Sequence, residues 1–73
     1  MEKLKLDQLE AIIDSDGIEE TLAALANLCH EKENHIRENW QDESLANEWR
    51  KKGNRIQRLS DSMTETINKR FNF

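Results

Sequence analysis

Asn39-Trp40-Gln41-Asp42-Glu43-Ser44 is the stretch on which the fold turns, although neither glycine nor proline marks it. Upstream of it Leu22, Cys29 and Ile36 recur every seven residues, and one continuous helix would carry that position on to Glu43 and Arg50. The apolar series downstream falls instead at Trp49, Ile56 and Met63, one residue out of register. Asp42 and Ser44 beside the slip are residue types whose side-chain oxygen accepts an orphan N–H at a helix start. Slip and caps together predict a turn near Asn39–Glu43. The competing reading is one long helix with a local coiled-coil discontinuity.

Working outward, the segment before the turn reads as a helix over about 18–38. Ile18, Leu22, Leu25, Cys29 and Ile36 alternate by four and three along one face, with Lys32 interrupting. Ala23, Ala24, Ala26 and Leu28 widen that face and are strong helix formers. Asp16 reads as its cap, with Glu19 three residues on. The segment after the turn reads as a helix over about 44–69, carrying Leu45, Trp49, Ile56, Leu59, Met63 and Ile67, with Lys52 at the interrupted position. Gly53 inside it costs about 1 kcal/mol relative to Ala, unless it lets another helix approach. Ahead of both, Leu9, Ile12 and Ile13 make one stripe of a short helix over about 8–14. Asp7 and Glu10 form its capping pair, and Ser15-Asp16-Gly17 closes it.

The expected fold is therefore all-α, a single domain over 1–73: an antiparallel helical hairpin with a short N-terminal helix. The short helix can cover the hairpin's open side as a small three-helix bundle, or two hairpins can form a four-helix homodimer. Composition agrees, with no proline, no tyrosine and two glycines in 73 residues. A single core of this size supplies only ~3–5 kcal/mol, which favours oligomerisation.

Charge is divided sharply along the chain. Residues 1–49 hold thirteen carboxylates against four Lys/Arg, and residues 50–73 hold two against seven, within an overall −4. An antiparallel hairpin would bring Glu19 and Glu20 toward Lys69 and Arg70, and Glu31, Glu33 and Glu38 toward Arg50-Lys51-Lys52. Each exposed pair contributes only about 0–1 kcal/mol. Their sum can still select antiparallel over parallel pairing.

Chemistry-bearing clusters are few. Cys29-His30-Glu31-Lys32-Glu33-Asn34-His35 holds every common metal-ligand type, but Cys29 and His35, six apart, point to different faces, as do His30 and His35. The Glu-x-x-His spacing of di-iron bundles is absent, since Asn34 stands three after Glu31. The reading is a core-facing Cys29 with two solvated histidines. A weak metal or redox site near Cys29, His30 and His35, shared across a dimer, is the alternative. Nucleophilic catalysis needs a base and an orienting group beside the thiol, and no glycine-rich phosphate loop exists, since Gly17 and Gly53 stand alone. No enzyme, no cofactor and no metal are expected.

Arg50, Lys51, Arg55 and Arg58 form a basic stripe that can grip a phosphate backbone, with Trp49 available to stack on a base. A helix-turn-helix does not fit, because Ala46 would require its turn glycine near Arg50 and Gly53 arrives too late. Overall acidity also opposes nonspecific binding to nucleic acid. Trp40 lies in the turn with Asp42 and Glu43 beside it. It either folds back to plug the bundle's end or stands out as an interaction hot spot, its acidic neighbours favouring a basic partner.

The leading function is thus a noncatalytic small helical protein–protein interaction module (an adaptor, inhibitor or regulator), homodimeric in its simplest form. Trp40, Asp42, Glu43, Arg50, Lys51, Arg55 and Arg58 are its candidate partner-binding residues. The alternative is a nucleic-acid-binding protein using the stripe 50–58. No apolar run approaches the ~20 residues that span a bilayer. Met1 to Asp7 lacks the apolar stretch of a secretion signal. One cysteine excludes an internal disulfide framework. The expected location is the cytoplasm.

Overall fold

The computed structural model describes the backbone of residues 1–71 and the side chains of residues 1–64. It is all-helical: α1 Lys3–Asp16, α2 Ile18–Asn39 and α3 Glu43–Phe71. α2 and α3 pack along their length as an antiparallel hairpin, and the turn falls at Trp40-Gln41-Asp42, inside the predicted window. Asp42 is the working cap: its Oδ1 accepts the Leu45 N–H at 3.0 Å, and its backbone carbonyl accepts the Ala46 N–H at 3.0 Å. Gln41 takes the left-handed conformation, φ 51°, at the position where helix ends usually place glycine.

Two helix starts differ from the sequence expectation. α1 begins at Lys3, so Asp7 lies inside the helix and caps nothing. Glu2, Lys3, Leu4, Lys5 and Leu6 contain no breaker and several good helix formers, and propensity extends the helix past the capping pair. Asp16 is likewise the last residue of α1 rather than the cap of α2. Gly17 alone separates the two helices at φ 88°, a conformation that costs glycine no Cβ clash. Its carbonyl accepts both the Thr21 N–H at 3.1 Å and the Thr21 hydroxyl at 2.7 Å.

The hairpin seam is built from small and polar residues. Ala46, Gly53 and Ser60, seven apart on α3, are buried against Ala26, Cys29 and Glu33 of α2. Ser60 Oγ donates to the Glu19 carbonyl at 2.9 Å, tying the two helices together near the far end from the turn. The apolar stripes expected to meet in this seam flank it instead. Ile18, Leu25, Leu45 and Leu59 are exposed, and Leu22, Ile36, Trp49, Ile56 and Met63 are half-buried. The reason is steric: a column of Ala, Gly and Ser lets the helix backbones close on each other, which turns the larger neighbours outward. Among the described residues no large apolar side chain is fully buried.

Among the described residues α1 touches α2 and not α3. Leu9 and Ile12 lie over Thr21, Ala24, Leu25 and Leu28 in an open apolar cleft, and no residue of α1 is buried. The three helices consequently make a flat layer, 49 × 32 × 15 Å by Cα positions, with α1 beside the hairpin rather than over its open side. The radius of gyration is 15.1 Å, where a compact chain of this length has about 11 Å.

The expected intramolecular pairing of acidic α2 with basic α3 is not what holds the hairpin. The ion pair between these helices, among the described residues, runs in the opposite sense, from Arg37 of α2 to Glu43 of α3. Among the described residues Glu31 and Glu38 form no ion pair with Arg50, Lys51 or Lys52; an exposed pair gains too little to fix two long side chains in one geometry. Ile67, Lys69, Arg70 and Phe73, and the pairing assigned to Lys69 and Arg70, fall outside the described side chains.

Candidate functional site

Trp40 projects from the hairpin tip with 70% of its surface exposed, so the ring stands outward and does not plug the end of the bundle. Its backbone is fixed: its N–H donates to the Ile36 carbonyl at 2.9 Å, and the Asp42 cap follows two residues later. The tip is braced from below by a chain of charges. Arg37 Nε donates to both oxygens of Glu43 at 3.1 Å, and Arg37 Nη1 donates to Glu33 at 2.7 Å. The other Glu33 oxygen lies 3.3 Å from His30 Nδ1.

These contacts shift the two groups at the centre of the brace. The hydrogen bond from Arg37 holds the Glu33 carboxyl below the usual range; burial works against that shift, and the hydrogen bond with His30 adds to it. The same Glu33 contact, followed by Glu43, holds the Arg37 guanidinium above its ordinary value. Glu43 therefore commits both oxygens to Arg37, and Asp42 commits one to its cap. Of the three turn residues singled out in the sequence, Trp40 is the one presented outward without an intramolecular task.

The second surface is the flank of the hairpin. Ile18, Leu25 and Lys32 on α2 and Leu45, Lys52 and Leu59 on α3 each repeat every seven residues, one position before the buried seam. In an antiparallel pair those columns fall on the same side of both helices. Trp49 confirms it, because Lys32 Nζ from α2 and Lys52 Nζ from α3 stand 5.4 and 4.8 Å from the centre of its ring. Trp49 is thus half-buried between two cations on a largely apolar face, not a central core anchor, and its ring is engaged rather than open to a base.

The basic stripe occupies α3. Arg50, Lys51, Arg55 and Arg58 are all exposed, and none has a carboxylate within ion-pair distance among the described residues. Lys51, Arg55 and Arg58 share one outer face, and Arg50 stands apart from them by its helical phase. Cys29 is buried at the seam, His30 is turned to Glu33, and exposed His35 meets Asn39 at 3.1 Å, so the structure places the three in separate surroundings. Among the described residues no three His, Cys, Asp or Glu side chains form a metal-holding group, and no helix is long and apolar enough to cross a membrane.

Sequence reasoning missed the brace Glu33–Arg37–Glu43 and the clamp on Trp49. The brace had a visible signal in the i, i+4 spacing of Glu33 and Arg37, overlooked beside the larger charge division. No protein-family model, no curated protein and no solved structure matches this chain.

Proposed function

We propose that this chain is a noncatalytic protein–protein interaction module, an adaptor, inhibitor or regulator that docks a protein partner through the hairpin tip and works as a homodimer. The observation that carries the proposal is the exposure of Trp40 on a turn whose backbone is hydrogen-bonded on both sides. A large aromatic ring held outward by capped backbone loses little entropy on docking and offers a wide contact, the property that enriches Trp among interface hot spots. Asp42 and Glu43 stand beside it as polar rim. The single free cysteine suits a reducing location such as the cytoplasm.

The test is affinity capture from a lysate of the cells that make the protein, with and without nuclease, comparing the wild type with Trp40→Ala. A distinct protein recovered in both nuclease arms and lost with Trp40→Ala, while circular dichroism shows unchanged helicity, supports the tip. Capture that survives Trp40→Ala removes that assignment.

A second reading has one observation in its favour: the stripe of Arg50, Lys51, Arg55 and Arg58 is exposed and free of carboxylate partners among the described residues. As a nucleic-acid surface it requires affinity that falls steeply with salt and is lost in an Arg55→Glu, Arg58→Glu variant. A flat titration against mixed oligonucleotides at low salt removes it. Captured material lost on nuclease treatment would make this reading the working one.

A further inference from the structure

We propose that a second copy of this chain covers the flank bearing Ile18, Leu25, Lys32, Leu45, Lys52 and Leu59, and that the two hairpins lie with their tips at opposite ends. The surface area argues for an occupant of that size. The chain exposes 6036 Å², whereas a compact monomer of its mass exposes about 4,700 Å². The excess, roughly 1,300 Å², is more than the ~800 Å² per partner that a standard stable interface removes from water. A hairpin whose buried apolar residues, among those described, are Ala26, Cys29 and Ala46 has its larger side chains still to bury.

The pattern argues for a copy rather than a different chain. The internal seam uses one seven-residue series on each helix, and the flank carries a second, also spaced by seven on both helices. Helices with two adjacent apolar seams are the parts of a four-helix bundle, in which each helix contacts two neighbours. A second hairpin brings the same two seams, so the contact is self-complementary about a two-fold axis. One added helix would fill the groove between α2 and α3 and leave the outer edges wet.

The lysines fix the orientation. Lys32 and Lys52 are the charged residues in these columns, and both stand over Trp49, with no carboxylate among them. With the tips together, the two copies would place four ammonium groups at one level. With the tips opposed, Lys32 lies five residues from the midpoint of the Ile18–Ile36 face, so the two copies' clusters stand about 15 Å apart along the axis at 1.5 Å per residue. That exceeds the Debye length of about 8 Å at physiological salt. Their long stems remain over apolar surface while their heads reach water at the edge. Opposed tips also present two Trp40 rings facing away from each other, which makes the protein a bivalent connector. That last consequence rests on the tip reading, whereas the interface itself rests only on the homodimer proposed above.

Light scattering coupled to gel filtration reads the dimer without any partner. The expected mass is twice 8.6 kDa for the wild type and 8.6 kDa for Leu45→Glu, Leu59→Glu, two exposed flank positions on α3 outside the cleft that α1 lines. A wild-type chain that elutes as a monomer overturns the proposal. Should the double variant fail to fold, thermal melts of the wild type over roughly a hundredfold concentration range replace it: a midpoint that rises with concentration supports the dimer, and a constant midpoint overturns it. Orientation is read by spin labels at Gln41→Cys in a Cys29→Ser background. Opposed tips give a separation of about 40 Å from the helix rise, and a separation below about 20 Å overturns the opposed arrangement.

Discussion

Gly53 lies so close to Cys29 that a methyl group built on its α-carbon would stop 3.1 Å from the Cys29 Cβ, and 3.0 Å from the His30 ring. The glycine that weakens α3 as an isolated helix is the residue that lets it seat against α2. The Cys29 Cβ is fixed to the α2 backbone and cannot swing aside as a long side chain would. Gly53→Val should therefore force the helices apart and cost about 1–3 kcal/mol, the usual penalty of overpacking. Urea unfolding at one fixed protein concentration measures it. A variant as stable as the wild type would show that the seam is not closely packed at this point.

Asp42→Ala removes the acceptor for the Leu45 N–H and leaves a donor at the start of α3 to water. The expected loss is about 1 kcal/mol, typical of a helix N-cap. Ser44→Ala, next in the sequence and outside this hydrogen bond, should change stability far less. Equal losses in the two variants would mean that the cap assignment is wrong.

Much of this fold was legible because it rests on periodicity. The register slip between Ile36 and Trp49 marks the turn, and long apolar series at helical spacing without proline mark the class. What the pattern concealed is which apolar residues face inward. Hydrophobicity marks Leu25, Leu45 and Leu59 as core, but how closely two helices approach depends on the smallest residues between them. Ala46, Gly53 and Ser60 carry almost no hydrophobic signal. Their seven-residue spacing is present in the sequence and is the feature that marks the seam. The prominence of Trp40 is legible in part, since a bulky residue stands in a polar turn, but the direction of its ring depends on how the turn folds. The charge division misled, because exposed charges of opposite sign need not touch.

Glu33 should give the hairpin a measurable dependence on acid. Its carboxyl is held below the usual range mainly by the Arg37 hydrogen bond. A group whose pKa is lowered by folding adds stability that is fully present above its unfolded value, about 4.3 for Glu, and is lost as pH falls through the folded value. Arg37, raised further from an already high value, stays charged throughout that range. Thermal melts of the wild type and Glu33→Gln should thus differ most at neutral pH and converge as pH falls below about 4.3. A gap that stays constant across the acid range would show that the carboxylate charge contributes nothing through Arg37.

Gln41 offers the opposite sign of change. It holds φ 51° without being glycine, and the left-handed conformation costs a residue with a Cβ roughly 1–2 kcal/mol. Glycine relieves that strain but loses more backbone freedom on folding, about 0.5–1 kcal/mol of offset. Gln41→Gly should accordingly stabilise the hairpin by up to about 1 kcal/mol. The substitution leaves Trp40 and the Asp42 cap in place, so partner capture should survive it. Increased stability with capture retained would show that the turn serves to present Trp40 and that the Gln41 side chain is dispensable. If stability falls, the Gln41 side chain holds the tip through contacts that outweigh its backbone strain.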